Sequence, residues 1–140
     1  MLELDEGFWL AHNWLGASYA NRGRFADAAR SYERAFAWFP TNAAVIGCLA
    51  GYLARTSQAD RAAQLLDRLG DGTAFGAPFG LTNYYLARGE LDRAADWFER
   101  GIAQRDTRMT WIAAGHYGDR LTSSPYWDRL AKLMNLPARP

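Results

Sequence analysis

Two histidines, one cysteine, a glycine-rich stretch and a spaced set of arginines are the residues of this 140-residue chain whose chemistry could do more than pack. His116 stands near Tyr117 and Asp119, and a histidine beside a carboxylate is the raw material of acid–base work. No nucleophile accompanies it at a recognisable spacing, so an enzyme built on the His116–Asp119 loop is the weakest reading. His12 falls on the interior side of a helical stretch, where a core histidine is a simpler account than a metal ligand. Two histidines and one cysteine make no zinc set, and no metal or other cofactor is expected. Cys48 lies past the first turn of its helix, which Thr41 or Asn42 would cap, and it reads as a small apolar residue. Residues 70–80, GDGTAFGAPFG, lack the Gly-Lys-Ser/Thr of a phosphate loop and follow no strand; they read as a flexible connection. Arg22, Arg55 and Arg88 recur every 33 residues near the ends of three expected helices. There they can oppose helix dipoles, or act as a row that grips a carboxylate or phosphate bidentately.

Composition narrows the field before any helix is placed. Hydrophobic residues are 49% and charged residues 22% of the chain, enough for one ordered domain with a core. Sixteen basic against fifteen acidic side chains leave a formal charge of +1, which argues against nucleic-acid binding by this chain alone. No apolar run is long enough to span a membrane, and the start, MLELDEGF, shows no secretory signal. A cytoplasmic setting without membrane insertion is the resulting expectation.

The elements that would carry these residues repeat. Three units begin near Trp9, Ala43 and Phe75, each an apolar helical segment, a short polar break and an amphipathic segment. The breaks are Asn21–Arg24, Arg55–Gln58 and Arg88–Glu90, with the glycine or serine that a tight helix–helix turn needs. Leu15, Gly16, Tyr19, Ala28, Tyr32, Ala35 and Pro40 mark the first unit. Leu49, Ala50, Leu53, Ala62 and Leu66 mark the second, and Leu81, Tyr85, Gly89, Ala94, Phe98 and Gly101 the third. This series resembles the tetratricopeptide repeat. His12 stands where that family often has tryptophan, and the closing proline is replaced by Ala74 and Asp106 in the later units.

Both ends carry signals. Leu2-Glu3-Leu4-Asp5-Glu6 resembles the tail of a preceding repeat, one period before Phe36–Pro40, so residues 1–8 read as a repeat remnant or as an N-terminal tail. In the first case Phe8 and Trp9 would form an exposed, self-associating edge. Residues 109–122 fit no unit but hold Met109, Trp111, Ile112 and Tyr117, and read as a packed loop. Ser123-Ser124-Pro125 suggests an N-cap and a proline at the first helical position, opening a capping helix that Asn135 and Pro137 stop; 123–140 is this cap and tail. That segment is similar to the C-terminal helical regions of bacterial multidomain regulators, which implies a regulatory or scaffolding appendage.

The expected fold is therefore all-α: a tetratricopeptide-like α-solenoid of three helix pairs, over 9–42, 43–74 and 75–108, with a C-terminal capping helix. The resemblance implies a non-catalytic protein-interaction module whose first helices line a concave groove for a peptide or helix. Carried onto this sequence, the groove consists of Leu10, Asn13, Ala17, Ala20 and Asn21, then Gly47, Gly51 and Arg55, then Phe79, Asn83 and Leu86. Its middle would be open, because two glycines replace side chains there. Self-association through the Phe8–Trp9 edge is the rival reading.

Overall fold

A computed structural model of the chain describes residues 5–114 and 119–136, with side chains described from Leu10 to Ala113 and from Asp119 onward. Among these residues there is no strand. Three antiparallel helix pairs follow one another: α1 (Asp5–Asn21) with α2 (Phe25–Trp38), α3 (Ala43–Ala54) with α4 (Ala59–Leu66), and α5 (Ala77–Arg88) with α6 (Leu91–Ala103). Three short helices close the array: α7 (Met109–Ala114), α8 (Asp119–Thr122) and α9 (Trp127–Leu133).

The pairs alternate in character. α2 and α6 are amphipathic, burying Ala28, Ala29, Tyr32 and Ala35 in one case and Ala94, Ala95, Phe98 and Gly101 in the other. That spacing of three and four residues places one apolar stripe on each helix. α3 and α5 are apolar nearly all round, and every residue from Val45 to Leu53 is buried. Helices of that kind belong in the middle of a structure. α3 is packed by α2, α4 and above all α5, while α1 rests mainly on α2. Asn42 begins α3 as its N-cap, its side-chain oxygen accepting from the Val45 N–H at 3.2 Å.

Each pair turns on one left-handed residue standing two before the second helix. Gly23 (φ 75°), Ser57 (φ 65°) and Gly89 (φ 78°) occupy that place in turn. Glycine takes this conformation freely, whereas a side chain there is strained. Ser57→Gly should therefore stabilise the chain by about 0.5–1 kcal/mol. Urea unfolding reads this directly, and a loss of stability would mean that the Ser57 side chain has a compensating contact.

The middle pair is sealed by backbone contact. A Cβ on Gly47 would stand 2.0 Å from the Gly80 carbonyl oxygen, and one on Gly51 would stand 2.4 Å from Ala87 Cβ. The two glycines let α3 and α5 touch. Small residues also admit large ones elsewhere: Tyr32 lies where a Cβ on Gly16 would be 2.6 Å from its ring. Tyr32 then stacks with Tyr52, and Tyr52 with Phe25, tying the first pair to α3.

Residues 109–122 are not one loop; they contain α7 and α8, which pack with α9 on α6. Met109, Ile112, Leu121, Trp127 and Leu130 join Phe79, Leu86 and Phe98 in a second apolar core. α9 begins at Trp127, later than the serine and proline signals suggest. Ser124 instead makes a turn: its hydroxyl donates to the Leu121 carbonyl (2.6 Å) and accepts from the Tyr126 N–H (3.3 Å). Asn135, at φ 57°, follows the end of the helix.

The connection of residues 70–80 is pinned and not a free tether. Gln104 accepts from the Gly76 N–H at 3.1 Å and donates to the Thr73 and Ala74 carbonyls. Asp71 accepts from the Thr73 N–H and hydroxyl.

Candidate partner-binding surface

The structure divides the expected groove in two. Along α1, Leu10 and Asn21 are exposed, and Asn13, Ala17 and Ala20 are half-buried. Gly47 and Gly51 are enclosed by α5, and Phe79, Asn83 and Leu86 are 3%, 1% and 6% exposed. A partner cannot touch these five, so the open-middled groove is corrected to a closed α3–α5 contact. The physical reason is that a missing side chain admits either a ligand or a neighbouring backbone, and here the backbone takes the space.

Asn83 has a structural task instead. Its amide nitrogen donates to the Phe79 carbonyl at 2.8 Å, and its amide oxygen accepts from Cys48 Sγ at 3.7 Å. This satisfies a polar group that would otherwise be costly to bury. Burial pushes the Cys48 thiol up to about 12, against a hydrogen bond to Tyr32 that works the other way. At neutral pH the thiol is protonated and enclosed, which makes it a packing residue.

Of the arginines spaced along the sequence, Arg22 is exposed. Arg55 lies 3.8 Å above the Phe25 ring and donates to the Ala87 carbonyl at 3.0 Å. Arg88 is engaged by Glu90 at 3.2 Å and by the Tyr84 hydroxyl at 3.0 Å. They do not form a uniform row.

His12 is half-buried on α1, and burial, with Arg34 adding to it, holds its imidazole below the ordinary histidine range. His116 and Tyr117 lie outside the described residues, as do the side chains of Phe8 and Trp9 and the segment 1–4. Among the described residues, no group of three or more histidine, cysteine, aspartate or glutamate side chains is placed to hold a metal ion. No helix among them is long and apolar enough to cross a membrane.

Sequence reasoning did not assign Trp14 and Leu15 to a binding surface, yet they dominate the exposed part of α1. Trp14 is 68% exposed, Leu15 43% and Leu10 37%. Leu10 and Trp14 are four residues apart, hence neighbours on one helix face. Leu49, one repeat period after Leu15, is fully buried. The signal for Trp14 was in the sequence as an i, i+4 apolar pair, but a buried pair has the same spacing.

Asp106 also escaped notice, as a replaced proline. It is buried, and its carboxylate accepts from the Arg108 backbone N–H (3.1 Å), Nε (2.9 Å) and Nη2 (2.7 Å). Arg108 in turn lies 4.6 Å over the Phe79 ring. The clasp fixes the entry to α7 and helps to cover α5.

The architecture defines an all-α helical repeat. Within that class, residues 9–42 match the family model described as tetratricopeptide repeat, and the helix pairs of the whole array are consistent with a fold of that kind. Such repeats are generally non-catalytic and mediate protein–protein interaction. No curated protein and no solved structure matches the chain.

Proposed function

We propose that the chain is a non-catalytic interaction module that docks a helix of another protein on the outer face of α1. One observation carries this reading. Leu10, Trp14 and Leu15 are exposed together on α1, whereas the equivalent stretch of α3, with Cys48 and Leu49, is enclosed by its neighbours. The repeat itself supplies the template for the occupant. α2 packs on α3 with alanines and aromatic side chains interleaved, so an amphipathic helix bearing a small–aromatic–small stripe fits the same kind of face. Trp14 would be the anchor, since aromatic side chains dominate binding hot spots.

Trp14→Glu combined with Leu15→Glu should reduce affinity for the docked helix by about 30-fold or more, while leaving the unfolding midpoint nearly unchanged. Undiminished binding would remove the face from the account. The second reading is self-association through this end of the array, with the Phe8–Trp9 segment contributing. It rests on the same exposed face and gives a concentration-dependent dimer by light scattering, lost in the same double variant. A regulatory, bacterial and cytoplasmic setting is part of the proposal, supported by the likeness of the C-terminal segment to bacterial regulator regions.

A further inference from the structure

We infer that Arg55 and Arg120 together form an oxyanion site at the C-terminal end of α5, which takes a carboxylate or phosphate group. The two residues come from distant parts of the chain, the end of α3 and the start of α8, and converge on Gly89. A Cβ built on Gly89 would lie 3.6 Å from Arg55 Nη1 and 3.4 and 3.8 Å from Arg120 Nη2 and Nη1. Glycine leaves that point empty, so an oxygen just beyond it can accept from both guanidiniums. Neither arginine makes an ion pair among the described residues. Both are exposed, so the point is reached from solvent.

Arg55 is already oriented. Its guanidinium lies on the Phe25 ring, which is backed by Tyr52, and it donates to the Ala87 carbonyl. A guanidinium held on a ring in this way loses less freedom when it binds an anion, and Nη1, the atom nearest Gly89, keeps one N–H beyond the one given to Ala87. Glu90, next to Gly89, is shared between Arg88 (3.2 Å) and Arg93 (3.8 Å). The negative end of the α5 dipole favours the two cations and opposes the oxyanion, so the attraction must come from the two guanidiniums themselves.

The site stands apart from the docking face on α1, so either can fail without the other. Its test uses the whole chain and two small probes, inorganic phosphate and acetate, titrated at constant ionic strength and followed through the arginine Nε–Hε resonances and the Gly89 amide. The expected result is saturable shifts at Arg55, Arg120 and Gly89, weakened about tenfold by Arg120→Gln. Arg100→Gln, on the last turn of α6, serves as the control and should leave the titration unchanged. Saturation by phosphate alone assigns a phosphoryl ligand, and saturation by acetate assigns a carboxylate. Linear shifts with both probes, or a titration that Arg120→Gln leaves intact, would overturn the site.

Discussion

Gly47→Ala should cost about 3 kcal/mol or more, the largest effect expected of any single methyl group in this chain. Inserting atoms into a packed core typically costs about 1–3 kcal/mol, because side chains must leave their preferred rotamers. Here the obstacle is not a side chain. The new Cβ would meet the Gly80 carbonyl oxygen at 2.0 Å and its carbon at 2.9 Å. A backbone carbonyl in the interior of α5 cannot rotate away, so α3 and α5 would have to separate. Separation would in turn loosen the Gly51–Ala87 contact and the Asn83–Cys48 hydrogen bond. With domain stabilities of about 5–15 kcal/mol, such a loss would leave much of the population poorly folded on warming. Gly23→Ala provides the comparison: its Cβ meets nothing within 4 Å, and only its φ of 75° is unfavourable. It should cost about 1 kcal/mol. Urea unfolding of the two variants checks the ranking. A Gly47→Ala chain as stable as the wild type would mean that α3 and α5 do not touch and that the groove is open in its middle after all.

Asp106→Ala is expected to cost about 2–3 kcal/mol at neutral pH. It removes a buried carboxylate that accepts three hydrogen bonds from one residue and leaves the Arg108 guanidinium without its counter-charge. The loss should fall on α7–α9, so amide exchange there should quicken before it does in α3. The pH dependence has a definite sign. Burial by itself would raise the Asp106 carboxyl, but the hydrogen bonds and charge of Arg108 outweigh it and hold the carboxyl below the usual range. A carboxyl lowered in the folded state contributes stability above its unfolded value of about 3.9, and that contribution is lost as pH falls through the folded value. The stability gap between wild type and Asp106→Ala should therefore be full at pH 6–7 and narrow below about pH 4. A gap that stays constant down to pH 2 would show that packing, not charge, is what Asp106 supplies.

The helices were legible in the sequence because their signals are local. The 3.6-residue stripe of α2, the turn at Gly23 and the Asn42 cap are written within a few residues of where they act. The binding surface was not legible, for a reason seen at Gly47 and Asn83. Both lie on helices that are apolar on almost every side, so no polar face indicates which way is out. A glycine facing a void and a glycine facing another backbone look the same in one dimension. The Asp106–Arg108 clasp and the meeting of Arg55 with Arg120 were hidden differently. The first looks like a surface loop pair until burial is known. The second joins residues far apart in the chain through a fold whose last third departs from the repeat. Trp14 carried no distinguishing signal, since its spacing from Leu10 is shared by exposed and buried stripes alike.

Site-specific photo-crosslinking decides whether the outer face of α1 docks a helix. A photoreactive residue at position 14 is compared, in the cells that make the protein, with the same residue at the exposed position 64 of α4. A discrete crosslinked species is expected from position 14, its contact peptide lying in an amphipathic helix. The species should fade when Leu10 and Leu15 are changed to serine. A crosslink to a second copy of the chain would favour self-association. If position 14 gives no more product than position 64, the face is solvent-exposed surface and the claim fails.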